Sequence, residues 1–389
     1  MKLSDFDYNL PKELIAQKPV KPRDHSRLLV LNRQTGKVEH KHFYNIIDYL
    51  QKGDVLVLNN TKVFPARLVG KRQGTGGKIE VFLLKRSKTQ DRRPKSGEVW
   101  QVLIGNRRKR IGQIIEFDRG LKCEIIKQLD ESVWLVKFNK SGRQFERIID
   151  KIGQVPVPPY IKTEDRRYPS TSLKTGKTKK LKDDYQTVYA EHRGSVAAPT
   201  AGFHFTRSLI NKLKRKGVQF EFITLHVGFG TFEPVKVEDI TKHKMHVEFA
   251  ILDNQTAARL NRAKLAGKRI IAVGTTVCRV LETFSNQRGI IKASKRWINL
   301  FIYPPFHFQF IDALITNFHL PKSTLLMLVS AFAPSSAVEL LRRRTKASAD
   351  RSAFASSRFI LKTYQVAIKK KYRFYSFGDA MFIKYLDPA

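Results

Sequence analysis

Asp54-Val55-Leu56-Val57-Leu58-Asn59-Asn60-Thr61 is the stretch of this sequence that decides its fold. Four consecutive apolar residues follow Asp54, and three polar residues follow them. An uninterrupted apolar run of this kind is typical of a strand buried on both faces, as in a parallel sheet covered by helices. Ligands bind at the carboxyl ends of such strands, so the polar residues predict that this end faces a site.

Beyond this strand, helical and strand patterns alternate through the C-terminal part of the chain. The predicted strands are 220–225, 269–273 and 312–316, and the predicted helices are 209–216, 253–266, 276–283 and 324–333. Alternation of this kind favours a largely parallel sheet with helices on both faces. We therefore predict an α/β fold whose main domain is a three-layer, mostly parallel sheet.

Residues 65–155 have a different texture, because short β-type runs are separated by glycines and charged residues. Strands spaced about 8 to 12 residues apart, with no helical period, are typical of a small β-barrel. The proline-rich run 156–159 marks the exit from this segment. We predict an inserted β-barrel domain at 65–155, within a discontinuous α/β catalytic domain formed by 1–64 and 156–389.

Charge is the strongest signal in the composition. The 389 residues include 73 Lys and Arg against 34 Asp and Glu, which leaves a formal net charge of +39. Basic runs at 107–110, 174–182, 342–344 and 369–371 contribute to this excess, although each alone is more typical of a solvated surface. Together they favour a nucleic-acid partner, because such a field attracts polyanions.

Neither a membrane segment nor a disulfide framework is predicted. No apolar run approaches the roughly 18 residues of a spanning helix, and the first residues lack the pattern of a secretory signal. Cys123 and Cys278 lie far apart and form no CxxC pair. We therefore expect a cytoplasmic protein with reduced thiols and no contact with a membrane.

Histidines are prominent in the polar clusters that follow the apolar strands. Imidazole titrates near neutral pH, which makes these side chains candidates for proton transfer. His243 and His246 are spaced to share one helical face, where Glu248 would orient one of them. This spacing matches neither HExxH nor a cysteine-rich zinc site, so we predict no metal. Acid–base chemistry and an ordinary structural role both remain open.

Small and hydroxylated residues accompany the histidines at two junctions. Gly202 lets a ligand approach the backbone closely, and Gly274-Thr275-Thr276 offers hydrogen bonds where a strand turns into a helix. Threonine is also a common helix cap, so this signal is weak by itself. The sequence lacks GxxxxGK(S/T), and the glycines at 74–77 precede a strand. Both facts disfavour P-loop NTPases and dinucleotide-binding enzymes.

In their order along the chain, these clusters resemble the S-adenosylmethionine:tRNA ribosyltransferase-isomerase family of queuosine biosynthesis. The resemblance covers nearly the whole length. It is carried by residues 6–11, 53–63, 66–68, 185–190, 196–205, 225–232, 243–246, 272–276 and 312–332. The family also has an α/β domain with an inserted β-barrel.

The resemblance implies an enzyme that uses S-adenosylmethionine as a ribosyl donor and has no prosthetic group. The acceptor would be 7-aminomethyl-7-deazaguanine at the wobble position of tRNA. The products would be epoxyqueuosine in tRNA, adenine and methionine. In this scheme the sulfonium acidifies the C5′ hydrogen, a base removes it, adenine leaves, and attack by the substrate amine leads to the epoxide and to release of methionine.

The resemblance also assigns roles to residues of the clusters. The candidates for proton transfer are His204, His226, His246 and His319. The expected contacts to S-adenosylmethionine are Thr200, Gly202, Gly228, Thr231, Gly274, Thr275 and Thr276. We expect Asn59, Asn60 and Arg67 to place the substrate. The partners would be tRNA and S-adenosylmethionine, and the enzyme would act as a monomer.

Two other functions compete with this one. A non-catalytic, basic tRNA-binding protein would account for the charge and the barrel, but not for polar clusters at the strand ends. A conventional methyltransferase would use the same donor but would release S-adenosylhomocysteine, whereas ribosyl transfer releases adenine and methionine. The products therefore discriminate among the three functions.

Overall fold

The computed structural model describes residues 1–87, 97–105, 109–161, 181–228, 235–332 and 349–385. These residues form a nine-stranded sheet, a closed barrel and a two-stranded sheet. The strands are β1 Arg27–Asn32, β2 Val38–His42, β3 Val55–Asn59, β4 Thr61–Val63, β5 Arg67–Arg72, β6 Lys78–Arg86, β7 Val99–Ile104, β8 Ile114–Glu116, β9 Lys122–Gln128, β10 Val133–Phe138, β11 His192–Ser195, β12 Gln219–His226, β13 Glu248–Leu252, β14 Ile270–Val273, β15 Ser294–Ile298, β16 Ala313–Asn317 and β17 Ala380–Lys384. The α-helices are α1 Ile46–Tyr49, α2 Gly142–Ile152, α3 Arg207–Arg215, α4 Asn254–Leu265, α5 Thr275–Phe284, α6 Thr324–Phe332 and α7 Ala349–Lys369. The basic runs 174–180 and 342–344 lie outside the described residues.

The large sheet has the strand order β15-β13-β12-β3-β14-β16-β17-β1-β2. Its centre is a parallel block formed by β12, β3, β14 and β16. On one side β13 and β15 continue the sheet with antiparallel pairings, and on the other side β17 runs antiparallel to β16. The predicted α/β class is confirmed, and the sheet is mixed because antiparallel strands flank the parallel block.

The central strand β3 shows why the sheet has helices on both faces. Val55 and Val57 belong to the core that includes side chains of α4, α5, α6 and α7. Leu56 and Leu58 belong to the opposite core, with side chains of α1 and α3. Successive side chains of a strand point to opposite faces. An uninterrupted apolar run therefore fits a three-layer arrangement, in which each fully buried side chain contributes about 1.5–3 kcal/mol.

The inserted barrel closes in the order β10-β7-β6-β5-β8-β9. Leu68 of β5 lies in its core, and Phe145 of α2 packs into the same cluster. Arg67 and Gln154 pair through their backbones, which brings the start and the end of the insert together. All barrel strands fall within 65–155, whose limits as a domain stay a prediction.

The carboxyl ends of β3, β14 and β16 meet at one edge of the large sheet, because these strands are parallel neighbours. Directly after β3, the chain forms β4, which pairs with β11 in the two-stranded sheet beside this edge. Within the part of the chain that the structure describes, no helix combines the length and the apolar character that crossing a bilayer requires.

Candidate active site

A cleft opens at the carboxyl ends of β14 and β16. This is the edge at which ligands bind in open α/β sheets. The cleft is lined by Tyr160, Tyr185, residues 197–201, Val227, residues 274–276, residues 316–320, Ser323, Leu325, Tyr375 and Ser376. Segments that are distant in sequence therefore form one cavity.

The N-terminus of α5 forms one wall of this cleft. Gly274 precedes the helix with φ of 97°, a backbone conformation that favours glycine. Thr275 and Thr276 begin the first turn, where backbone N–H groups lack partners inside the helix. The Thr276 hydroxyl is buried, with no hydrogen-bond partner among the described residues. Such a helix end attracts anionic groups such as a carboxylate.

His319 lies in the loop that follows β16, and its position is fixed by several hydrogen bonds. Its Nε2 is 2.8 Å from Thr316 Oγ1. Its backbone N–H donates to Tyr364 Oη at 3.1 Å, and its carbonyl accepts a hydrogen bond from the Tyr8 hydroxyl. Burial lowers the pKa of His319 to about 3. The imidazole is therefore neutral at physiological pH and can accept a proton.

Tyrosines form the opposite wall. The hydroxyls of Tyr160 and Ser376 are 2.7 Å apart, and the ring centroids of Tyr160 and Tyr375 are separated by 4.6 Å. Burial raises the pKa of Tyr160 to about 12 and also raises the pKa of Tyr185. These phenols stay protonated and can donate hydrogen bonds. Their rings offer faces on which a planar base or a cation can pack.

His204 is buried beside the cleft and does not line it. His204 is 3% exposed, and its Nδ1 lies 2.7 Å from Ser26 Oγ. Burial, followed by the positive charges of Arg373 and Arg23, lowers the pKa of His204 to about 3. The Asn317 side chain, which lines the cleft, also interacts with this imidazole. His204 is therefore a neutral, buried neighbour of the cleft.

His226 ends β12 and lies on the other side of that strand from the cleft. Val227 lines the cleft, and successive side chains of a strand alternate in direction. His226 Nδ1 is 3.0 Å from Thr61 Oγ1 in β4. The ring packs against Gly194, where an added Cβ would lie 2.6 Å from Cε1. Burial, followed by His192, lowers the pKa of His226.

The prediction that His243 and His246 share a helical face is wrong. A single 3-10 turn, Ile240–Lys242, ends directly before His243, and β13 begins at Glu248. The Asp239 side chain caps this turn, and the chain then extends to enter the strand. His243 and His246 therefore do not lie one turn apart on a helix face.

Glu248 also has partners other than the expected histidine. Its carboxylate pairs with Arg279 and accepts a hydrogen bond from the Gly228 backbone N–H at 3.2 Å. His246 is exposed, and its charge acts on Asp130 of the barrel. His246 therefore lies on the barrel side of the sheet edge.

The remaining glycines and threonine of the predicted set are placed as follows. A Cβ added to Gly202 would overlap the Tyr189 hydroxyl, so this glycine makes room for a buried tyrosine. A Cβ added to Gly228 would meet no atom of the described residues within 4 Å. Thr231 lies outside the described residues. The surroundings of Gly202 thus supply a packing reason for glycine at that position.

Asn59 and Asn60 connect the end of β3 to β12. Asn59 Oδ1 accepts from the Leu225 N–H at 3.1 Å, and its Nδ2 donates to the Leu225 carbonyl at 3.0 Å. Asn60 Oδ1 accepts from the Thr224 hydroxyl at 2.7 Å. Arg67 belongs to the barrel and forms an ion pair with a glutamate of the neighbouring strand. These three residues lie outside the cleft lining.

The cleft thus brings together a subset of the predicted residues, which are Thr200, Gly274, Thr275, Thr276 and His319. Sequence reasoning assigned no site role to further lining residues, which are Tyr160, Tyr185, Asn317, Tyr375 and Ser376. Tyr185 and Asn317 nevertheless lie within the matching stretches 185–190 and 312–332. Asn317 carried a usable signal, because it ends an apolar strand in the same way as Asn59 ends β3. The others lie in loops with no local pattern.

Metal-binding side chains do not cluster in the described ranges, where no three histidine, cysteine or carboxylate groups come close enough to hold an ion. Cys123 and Cys278 are both free and buried. Burial raises the pKa of both thiols, so neither is an activated nucleophile.

Comparison with known proteins identifies full-length relatives. A family model described as queuosine biosynthesis protein matches residues 3–345 and 349–383. The S-adenosylmethionine:tRNA ribosyltransferase-isomerase of Acetivibrio thermocellus is 48% identical over 388 residues, which are 99% of this chain and 100% of that protein. The protein of the same name from Clostridioides difficile is 46% identical over 388 residues, with the same shares covered. A crystal structure of S-adenosylmethionine tRNA ribosyltransferase from Thermotoga maritima is 35% identical, with a TM-score of 0.48 over 98% of this chain and 100% of its own.

Proposed function

This chain belongs to the queuosine biosynthesis protein family, and we propose that its cleft transfers and isomerises the ribosyl moiety of S-adenosylmethionine onto a modified guanine in tRNA. The chain is then an S-adenosylmethionine:tRNA ribosyltransferase-isomerase, the activity for which its full-length relatives are named. The observation that carries the proposal is the cleft, in which a helix N-terminus, tyrosine rings and a neutral histidine face one cavity.

We propose one orientation for S-adenosylmethionine in this cleft. The helix N-terminus at Gly274, Thr275 and Thr276 suits the methionine carboxylate, because it offers unsatisfied N–H groups and a positive dipole end. The buried Thr276 hydroxyl supports this fit, since it has no described partner within the protein. The rings of Tyr160 and Tyr375 suit the adenine and the sulfonium. Thr200 then lies beside the ribose.

His319 is our choice for the general base. It is the one of the four histidine candidates that lines the cleft. Bound S-adenosylmethionine supplies a C5′ hydrogen that the sulfonium makes acidic. His319 accepts this proton, and a protonated phenol such as that of Tyr160 hydrogen-bonds the departing adenine.

The other predicted residues support this chemistry from outside the cleft. We propose that His204 and His226 hold the cleft walls through Ser26 and Thr61 respectively. Asn59 and Asn60 would act by fixing the end of β3 and not by direct contact with substrate. His246 beside the barrel and Arg67 on it are then the candidates for contact with the large tRNA substrate, with Gly202 and Gly228 shaping the walls. In the proposed reaction, no metal ion and no prosthetic group takes part.

We propose that the acceptor is 7-aminomethyl-7-deazaguanine at the wobble position, whose amine attacks the ribosyl group. The +39 charge favours binding of the surrounding tRNA phosphates. We propose that the enzyme acts in the cytoplasm, where tRNA is modified, and as a monomer. The predicted division into domains 1–64 with 156–389 and 65–155 would place the barrel as an arm for tRNA.

The experiment is incubation of the purified protein with S-adenosylmethionine and tRNA carrying the aminomethyl-deazaguanine, followed by mass analysis. We expect adenine, methionine and a ribosylated base in equal amounts. Formation of S-adenosylhomocysteine would refute the proposal in favour of a methyltransferase. Tight tRNA binding with no small-molecule product would favour the non-catalytic binder. His319→Gln tests the base, with His307→Gln, at an exposed histidine outside the cleft lining, as the matched variant.

A further inference from the structure

Arg279 is a buried cation next to the cleft, and the function proposed above leaves it without a role. It lies in α5, one turn after the threonines that line the cleft, and its side chain is 7% exposed. Its Nε donates to the Leu300 carbonyl at 2.9 Å, and its Nη1 pairs with Glu248, whose side chain is 4% exposed. Both charges are therefore removed from water.

Glu248 extends this contact to a second segment of the cleft lining. Its Oε1 accepts the Gly228 backbone N–H at 3.2 Å, and Gly228 directly follows Val227, which lines the cleft. One ion pair thus connects α5, the start of β13, the end of β12 and the loop at Leu300. Two of these segments, the end of β12 with Val227 and the first turn of α5, contribute residues to the lining of the proposed S-adenosylmethionine site.

A buried ion pair is a weak source of stability, because desolvation of the two charges offsets most of their attraction. Such a pair is nevertheless demanding in geometry, since each charge must keep its partner and its hydrogen bonds. The pair therefore fixes the distance between the segments that carry it. Here those segments are Gly228 and the first turn of α5.

We propose that the Glu248–Arg279 ion pair is a positioning element that sets the spacing between the Val227–Gly228 wall and the N-terminus of α5. This inference rests on the proposed function, since the ligand it concerns is S-adenosylmethionine. The pair does not touch the ligand and acts through the backbone N–H of Gly228 and through the helix. Loss of the ion pair should weaken the binding of S-adenosylmethionine without altering the affinity for tRNA.

The test compares Glu248→Gln with a matched variant at the other edge of the sheet. Glu248→Gln keeps an oxygen for Gly228 but removes the charge that holds Arg279. Asp54→Asn is the control, because Asp54 forms a two-point ion pair with Arg269 just before the amino end of β3. That side chain is also buried, at 5% exposed, but it lies at the strand end remote from the cleft.

The dissociation constant for S-adenosylmethionine would be measured by equilibrium dialysis, together with KM for both substrates, kcat and the melting temperature. We expect Glu248→Gln to raise the dissociation constant and KM for S-adenosylmethionine by about tenfold, a common size for coupling between sites. KM for tRNA should stay within about twofold of the wild-type value. Asp54→Asn should lower the melting temperature and leave S-adenosylmethionine affinity unchanged.

Arg279→Lys provides a second variant in case Glu248→Gln folds poorly. It keeps the positive charge but loses the bond to Leu300, so an intermediate loss of affinity would support positioning. A wild-type dissociation constant in both folded variants would overturn the inference. Failure of the proposed function has a different signature, because the wild-type enzyme itself would then release no adenine.

Discussion

His204 gives the sharpest test of the electrostatics around the cleft, through the effect of pH on stability. Burial and the nearby Arg373 and Arg23 lower its pKa to about 3, whereas an unfolded histidine titrates near about 6.5. Between these values the unfolded chain binds one more proton at this position than the folded protein. The free energy of unfolding therefore rises with pH in this window and falls on acidification.

The size of the effect follows from the pKa difference. Each pH unit below about 6.5 costs about 1.4 kcal/mol, so a change from pH 7 to pH 5 should cost about 2 kcal/mol at this histidine. The stabilisation is fully present above about pH 6.5, and about 4 kcal/mol of it would be lost at pH 3, with the same reference values.

The assay is urea unfolding at pH 7 and pH 5 for the wild-type protein and for His204→Asn. Asparagine places an amide near the position of Nδ1, where it can still bond to Ser26. Contributions of other groups cancel in the comparison, and the wild-type loss should exceed that of the variant by about 2 kcal/mol. His192→Asn, at an exposed histidine, controls for the substitution. Equal pH losses for wild type and His204→Asn would refute the reasoning.

Three further predictions concern the cleft itself. Gly202→Ala should destabilise the protein by about 1–3 kcal/mol in urea unfolding, because its Cβ would overlap the Tyr189 hydroxyl. Gly228→Ala, whose Cβ would meet no described atom within 4 Å, should cost less than about 0.5 kcal/mol. Similar losses of stability in the two variants would contradict this steric account. Thr276→Val should raise KM for S-adenosylmethionine by about tenfold through loss of one hydrogen bond, whereas Thr276→Ser should retain the wild-type KM. An unchanged KM in the valine variant would show that the Thr276 hydroxyl does not bind S-adenosylmethionine. His319→Gln should lower kcat by about 10²–10⁴-fold. Because the pKa of His319 is about 3, its protonation should not lower the wild-type kcat/KM between pH 7 and pH 5. An apparent pKa near about 6.5 in the wild-type profile that disappears in the variant would contradict this pH prediction.

The central architecture could be predicted because it depends on local patterns. The apolar run of β3 indicates burial on both faces, and the strand predicted at 220–225 lies within β12. The antiparallel outer strands could not be predicted in this way. β17, near the end of the chain, pairs with β16 and β1, and these pairings depend on tertiary packing and not on residue pattern.

Some residues of the candidate site are likewise indicated by local sequence patterns, and others are not. Gly274 and His319 sit at junctions between a strand and the segment after it, where the sequence shows a change from apolar to polar residues. Tyr160 and Ser376 are far apart in the sequence and meet only through folding, at 2.7 Å between their hydroxyls. The sequence also does not show which side chains point into the cleft. Val227 lines the cleft, whereas His226, the residue directly before it, does not.

The cleft and the surface carry opposite electrostatic requirements, and the structure separates them. The surface of a chain with a net charge of +39 attracts tRNA but repels the sulfonium of S-adenosylmethionine. None of the described residues that line the cleft is a lysine, an arginine or a carboxylate, and the low pKa of His319 keeps this imidazole uncharged as well. The attraction for the methionine carboxylate then comes from the α5 dipole, which adds no net charge. Glu248 neutralises the charge of Arg279 beside this helix, so the ion pair adds no net positive charge near the proposed position of the sulfonium.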